Sequence, residues 1–316
     1  MKNISDIAKL AGVSKSTVSR YLNNGSVSPK TRLKLSRIIN EHDYQPNQFA
    51  QSLRATQTRI IGAIIPRMNS YAVDETVKGI VNQCQQHNYQ LLLNYTGLHM
   101  EAEIEAIETL SRSKVDAIIL MATDITDKHL EVIDKANVPV IIVGQAYPGL
   151  HSITHDDYQA GLKVGEWVGQ RQPRRVVFFS VTEKDIAVGV HRKSGLIDGL
   201  SKYQIKPDIF ETSFKYEEAL KDIKQTLTKI NDADVIIGAT DAIALAIHKY
   251  RFNSDQLLKP TIIHGFGGDP MTQIVSPIIR TIQFNYYEAG QRAMLEVRQL
   301  IKGESIEESI VIPVKL

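Results

Sequence analysis

The 316-residue chain contains one cysteine, Cys84. A lone thiol inside an expected helix excludes an internal disulfide framework, reads as a small apolar packing residue and suits a reducing compartment. No apolar run reaches the ~20 residues that a membrane span needs, and no amino-terminal segment has the charged-then-apolar order of a secretory signal. The expected location is the cytoplasm. Catalytic signatures are missing as well. There is no Gly-x-Ser-x-Gly elbow between a strand and a helix, and no pair of acids takes a general acid/base assignment. Gly265-Phe266-Gly267-Gly268 lacks the full dinucleotide spacing and does not open a first βαβ unit, which argues against a nicotinamide cofactor. His151 and His155 are four apart, as helical metal ligands would be, but Ser152-Ile153-Thr154 reads as a strand. At ~3.3 Å per strand residue the two rings stand ~13 Å apart, too far for one metal. The expectation is a protein without metal, cofactor or turnover.

Charge of one sign is also scarce, with a net of only +2 and 43% hydrophobic residues, as in an ordinary soluble protein. The distribution is uneven. Residues 1–60 hold ten Lys or Arg against Asp6, Glu41 and Asp43, giving +7, whereas the remainder holds 27 basic and 32 acidic residues. A cationic head on a mildly anionic body is the footprint of a polyanion-binding module.

That head reads as two short helices and a third. Ser5 is the expected cap of the first helix, with Ile7, Ala8, Leu10 and Ala11 inward and Gly12 at its left-handed end. Ser14 caps the second, where Val18 and Leu22 share a face behind Val13. A third helix starts with Ser28 and Pro29 and buries Leu33, Leu35, Ile38 and Ile39. The second helix presents Lys15, Ser16, Ser19 and Arg20 outward, a charged and hydroxylic face of the kind a DNA major groove accepts.

The ordered pattern Ala11-Gly12-Val13-Ser14-x-x-Thr17-Val18-Ser19-Arg20-x-Leu22-Asn23 continues through Val27-Ser28-Pro29-Lys30-Thr31-Arg32, Tyr44-Gln45-Pro46-Asn47 and Ala50-Gln51-Ser52-Leu53-Arg54. On these motifs the chain resembles the LacI/GalR family of bacterial repressors, and most of all its branch that governs sucrose operons in Gram-positive bacteria. The resemblance implies an α/β protein: an N-terminal three-helix helix-turn-helix domain with a hinge helix, then two Rossmann-like parallel-sheet subdomains of the periplasmic-binding-protein type. The expected domains are 1–46 for DNA binding, 47–58 for hinge and linker, and 59–316 for the effector. The last splits into about 59–156 with 286–308, and about 157–285 with 309–316. It further implies a homodimer on near-palindromic double-stranded operator DNA. Lys15 and Ser16 are the expected base readers, Arg20 reaches base or phosphate, and Ser5, Thr17 and Asn23 hold phosphates. Asn47, Leu53 and Arg54 belong to the hinge, with Leu53 as the wedge in the minor groove. Residues 47–55 are too few to form a stable helix alone and need a second copy and DNA; a plain tether is the alternative. The chain ends about two residues after the last expected strand, which predicts a dimer without the tetramerising tail of some relatives.

From residue 59 onward, β-branched runs at 60–65, 90–94, 116–121, 139–143, 175–180, 234–238, 261–264, 280–283 and 309–314 alternate with helical patterns. The helices are expected near 72–87, 100–112, 126–135, 157–170, 189–202, 216–230, 240–251 and 286–302. Such alternation argues for parallel sheets covered on both faces; the resemblance implies three chain crossings, placed near 155–158, 284–287 and 307–310. Ligands in such folds sit beyond the carboxyl ends of the strands. The effector candidates are Arg67, Tyr71, Gln145, Asp157, Arg192, Phe214, Asp241 and Asp269. The roles of Arg192 and Phe214, polar contact and stacking, are implied by the resemblance. One departure stands out: Gly267 occupies the place where the family carries an acid, and Asp269 is a candidate replacement. Arg67 and Arg192 together suit a phosphate, so a sugar and a sugar phosphate both remain open.

The preferred function is a repressor released by its sugar. A corepressor-activated regulator, a sugar-transport binding protein and a sugar-modifying enzyme are the alternatives. The second needs an export signal and has no use for residues 1–55; the third lacks catalytic residues.

Overall fold

The computed structural model of the protein describes residues 3–22, 25–44, 57–230, 232–252 and 261–315. Of the expected DNA contacts, Asn23, Asn47, Leu53 and Arg54 lie outside the described residues. The chain divides into two units, Met1–Arg59 and Ile60–Leu316.

In the first unit α1 (Ile4–Ala11), α2 (Lys15–Leu22) and α3 (Pro29–Glu41) close on a core of Ile7, Ala8, Ala11, Val18 and Leu35. Gly12 ends α1 at φ 60°, the left-handed conformation that a side chain would resist. The Thr17 N–H donates to Ser14 Oγ at 3.2 Å, and the Thr31 N–H does the same to Ser28 Oγ. Three expectations fail here. Asn3, not Ser5, caps α1: its carboxamide accepts from the Ser5 and Asp6 N–H groups while the Asp6 carboxylate accepts the Asn3 N–H. Ser5 already sits inside the helix and cannot close that reciprocal box. Leu10 and Leu33 are 46% and 74% exposed. Helical residues two apart point roughly 200° from each other, so the inward Ala8 and Leu35 turn Leu10 and Leu33 to solvent.

In the second unit β1 (Ile60–Ile65), β2 (Gln90–Tyr95), β3 (Ala117–Leu120), β4 (Val140–Val143) and β5 (Ser152–His155) alternate with α4 (Tyr71–Gln86), α5 (Met100–Arg112) and α6 (Asp127–Asp134). Next come α7 (Asp157–Gly169), β6 (Val176–Ser180), a π-helical turn Ile186–Arg192, α8 (Lys193–Ser201), β7 (Asp208–Glu211), α9 (Tyr216–Leu227) and β8 (Val235–Gly238). The unit closes with α10 (Asp241–Phe252), β9 (Ile262–Gly267), α11 (Met271–Ile274), β10 (Arg280–Gln283), α12 (Tyr286–Ile301) and β11 (Ser309–Ile312). The strands form two sheets, ordered β11-β5-β4-β3-β1-β2 and β10-β9-β8-β6-β7, and every ladder between them is parallel. The short apolar runs of β3, β4 and β8 are buried throughout, as strands covered on both faces must be.

After β5 the chain leaves the first sheet, and α7 packs Ala160, Val164 and Val168 into the core of the second. After β10 it returns, and α12 places Ala289, Ala293 and Val297 in the first core. The third crossing differs from expectation. β11 pairs with β5, Ser309 opposite Ser152, so 309–312 belongs to the first sheet and not to the second. Pro313, which has no N–H for the ladder, ends the strand two residues before the expected 314. Val314 then joins the second core and Lys315 bridges Gln283. β7 was absent from the expected strands, and the helix expected at 189–202 is a π turn followed by a shorter α-helix.

Candidate nucleic-acid interface and effector cleft

Lys15, Ser16 and Arg20 are exposed on α2. Among the described residues neither cation takes part in an ion pair, so both charges are free to meet a polyanion. Thr17 is half-buried, its hydroxyl 2.9 Å from Ser14 Oγ, which is itself 2.7 Å from Ser16 Oγ. Ser14 therefore orders both hydroxyls at the start of the helix. Past its end, Arg32 donates to the Gly25 carbonyl at 3.1 Å and lies 5.5 Å from the Tyr21 ring centroid, tying the following segment back to α2. Ser5 is half-buried in the first turn of α1.

The second site starts from close helix packing. A Cβ on Gly161 of α7 would lie 2.1 Å from the carbonyl oxygen of Arg192, and one on Gly195 of α8 would lie 2.0 Å from that of Tyr158. With glycine at both places the backbones touch, and Arg192, at the end of the π turn, is brought over the first residue of α7. Its Nε donates to Asp157 Oδ1 at 2.8 Å, Nη2 donates to the same oxygen, and Nη1 donates to the Ala239 carbonyl at 2.6 Å. The guanidinium carbon lies 4.6 Å from the Phe284 centroid and 5.1 Å from that of Phe266. Both partners are almost fully buried. Burial works against the Arg192 charge, but Asp157 and Tyr286 outweigh it and hold the group protonated.

Loops that follow the strands of one sheet meet those of the other. Arg67, after β1, donates to the Phe214 carbonyl at 3.3 Å and lies 4.6 Å from its ring centroid. Gln145, after β4, donates to Asp185 Oδ1 at 2.8 Å, and the Val188 N–H reaches the same oxygen at 2.8 Å. Burial pushes the Asp185 carboxyl up to about 6. Burial also lowers Arg67, with Asp185 opposing it as the nearest counter-charge. Tyr71 meets Tyr286 edge-on at 6.3 Å, and His155 lies 5.1 Å from Tyr286 and 5.4 Å from Phe284. Two polar atoms of this group are shut off from solvent with no hydrogen-bond partner: Arg67 Nε, a donor, and His155 Nε2. Burial holds the His155 ring neutral, near 4. With its other nitrogen bonded to the Asn285 backbone, Nε2 is left as an acceptor.

The missing family acid also has an explanation. A Cβ at Gly267 would lie 2.8 Å from Asp241 Oδ2, and one at Gly265 would lie 2.2 Å from Oδ1. Asp241 already fills that space. Its oxygens accept the Asp269 N–H and the Thr281 hydroxyl, each at 2.7 Å. Asp269 Oδ1 accepts the Met271 N–H at 2.9 Å, two residues on, which turns one of its carboxylate oxygens toward its own backbone.

All eight effector candidates thus gather along one line of contacts, though both oxygens of Asp241 and one of Asp269 are taken by the protein itself. Three members of that line were missed: Asp185, Phe284 and Tyr286. The rule that places residues just beyond strand ends in the cleft applies to them equally, since they follow β6 and β10; Arg192 and Phe214 came instead from the resemblance. Beyond Phe214 the cleft opens into a cavity of about 520 Å³ walled by Thr123 and Asp124 from one subdomain and Thr182, Glu211 and Thr212 from the other.

Residues 3–47 match the family model "Bacterial regulatory proteins, lacI family", and residues 61–305 match a periplasmic binding protein domain. The chain is 61% identical to the sucrose operon repressor of Staphylococcus xylosus over 100% of its own length and 98% of that protein. It is 26% identical to the transcriptional regulator TreR of Salmonella typhimurium, covering 98% of this chain and 97% of the relative. Among solved structures, the lac repressor dimer bound to operator and the anti-inducer ONPF superposes with a TM-score of 0.88 at 23% identity, covering 99% of this chain and 97% of that one. Those proteins are regulators, and no described helix is long and apolar enough to cross a membrane. With a cationic helix-turn-helix unit ahead of two parallel sheets that enclose a polar cleft, the chain belongs to the LacI family of bacterial regulatory proteins.

Proposed function

We propose that the protein is a cytoplasmic, non-enzymatic repressor of a sucrose-utilisation operon, released from DNA by a neutral disaccharide of the sucrose class. Two copies each read one half-site of a near-palindromic operator, about one helical turn apart. Lys15 and Ser16 contact base edges, Arg20 reaches base or phosphate, and Ser5, Thr17 and Asn23 hold the backbone. Apolar side chains left in solvent support self-association: Leu92, Leu93 and Tyr95 on the edge strand β2, and Met271 and Ile274 on α11.

The observation that carries the choice of ligand is the charge balance of the cleft. Arg192 is already bound by Asp157, and Arg67 faces Asp185. A phosphate entering here meets the Asp157 and Asp185 carboxylates beside the two arginines, whereas neutral sugar hydroxyls can use Arg67 Nε as a donor and His155 Nε2 as an acceptor without that repulsion. A ring lying on Phe214 would present its C–H face. The relative at 61% identity, a sucrose operon repressor, points to the same class. Closure of the subdomains around the sugar changes the spacing of the two hinges and melts them, so that folding and DNA binding are lost together.

Titration calorimetry of the full-length dimer tests this reading. Sucrose is expected to bind and sucrose 6-phosphate to bind at least tenfold more weakly. Preference for the phosphate ester, or no heat with either, would refute it.

A further inference from the structure

A second cavity, of about 340 Å³, lies between α7 and the edge strand β10, apart from the cleft. Its wall includes Lys163, Trp167, His264, Gln273, Ile278 and Arg280, and it contains no carboxylate. Arg171 reaches the same corner, its guanidinium carbon 3.5 Å from the Trp167 centroid, with that of Arg280 at 5.0 Å. Among the described residues Lys163, Arg171 and Arg280 take part in no ion pair. Three cations gathered at one concavity repel one another, and their shared field is relieved by an anion held among them.

The rest of the wall is also ordered. His264 is buried, its ring 5.4 Å from Trp167, and Nδ1 lies 2.7 Å from the Gly265 carbonyl. That contact fixes the proton on Nδ1 and leaves Nε2 as an acceptor. Burial and the two nearby arginines keep the ring neutral, near 4. Gln273 contributes an amide, and Ile278 and the indole supply apolar surface.

We propose that this cavity is a second effector site that takes a monosaccharide phosphate. The phosphate meets Lys163 and Arg280, the sugar's C–H face lies against Trp167 and Ile278, and its hydroxyls use Gln273 and His264. The volume falls in the range of roughly 300–1,000 Å³ usual for small-molecule pockets. Coupling to the cleft has a physical route: Thr281, on the strand that walls the cavity, donates its hydroxyl to Asp241 beside Gly267.

Calorimetry of the full-length protein with fructose 6-phosphate, in the presence and absence of saturating sucrose, decides the matter. Binding is expected in both conditions, at least tenfold tighter than inorganic phosphate and with no heat from fructose. The exposed Arg280 and half-buried Lys163 allow an Arg280→Gln/Lys163→Gln variant that keeps its fold, read by an unchanged melting profile and sucrose affinity within twofold. That variant is expected to lose at least tenfold in fructose 6-phosphate affinity. Displacement by sucrose, indifference to the double substitution, equal affinity for inorganic phosphate, or no binding at millimolar concentration would each overturn the proposal. The fructose 6-phosphate affinity, its loss in the double variant with an unchanged melting profile, and the comparison with inorganic phosphate are all read without sucrose, so their failure is distinguishable from failure of the cleft reading.

Discussion

Lys15 and Arg20 on α2 stand in solvent without a carboxylate among the described residues, whereas Arg192 is buried against Asp157 with every guanidinium nitrogen engaged. The two arrangements suit opposite partners. An exposed, unpaired cation costs little to keep and releases counterions when it meets a phosphate backbone, so its binding weakens with salt. A buried, paired cation has spent its charge inside the protein and offers a fixed polar geometry, which suits a neutral ligand and resists salt.

The comparison breaks most sharply at Arg192. Arg192→Ala leaves the Asp157 carboxylate buried without its partner, with a loss of about 3–5 kcal/mol in the stability of the second unit. Sucrose affinity is expected to fall about 100-fold or more, while the operator stays bound in the presence of sugar. Thermal melting and calorimetry check the first two effects, and operator titration the third. Asp185→Asn tests the cost of burying a carboxylate. Asp185 is raised to about 6 from the ordinary carboxylate value, so its neutral form favours folding below pH 4 and that contribution is lost as pH rises through 6. Asparagine keeps the acceptor for Gln145 but has no charge to bury. The variant's stability relative to the natural protein should therefore climb by up to about 3 kcal/mol between pH 4 and pH 7 and stay level above. A stability difference that is flat across this range would contradict the assignment.

On the exposed side, Lys15→Ala should cost about 1–3 kcal/mol on the preferred operator and relax preference at one half-site position, read from a panel of operator variants. The natural protein, with about six phosphate contacts, should show a log–log salt slope near −5; sucrose binding to the same protein should be nearly independent of salt. The smallest effect is expected at Leu53→Ala. Operator affinity should fall only a few-fold and the DNA bend should lessen, with sugar binding untouched, as measured by gel mobility of circularly permuted fragments.

The two units also differ in how legible they were. In the first, cap chemistry at Gly12, Ser14 and Ser28 is local and could be read directly. Leu10 and Leu33 are apolar but stand at the wrong angle on their helices for burial, which hydrophobic content alone does not reveal, and the Asn3–Asp6 box lies in the sequence two residues ahead of Ser5. In the second, strand runs such as Ile60–Ile65 declared themselves, but β7 offers only Ile209 and Phe210 between acids, too little for a periodic signal. The sheet that β11 joins is decided by the open edge of β5, far away in sequence. Most cleft residues follow from their place beyond strand ends, whereas Arg192 and Phe214 were carried only by the resemblance. That Asp241, and not Asp269, fills the space beside Gly267 depends on a side-chain contact between α10 and β9 that spacing does not encode.

The central claim, that carbohydrate in the cleft dissolves the grip of the cationic head on DNA, is tested most directly by fluorescence anisotropy. Full-length protein is bound to a labelled operator fragment from its own genomic neighbourhood, and sucrose is titrated in. The account predicts specific binding without sugar and at least a tenfold loss of operator affinity at saturating sucrose. An affinity that stays constant or tightens as sucrose is added would contradict it.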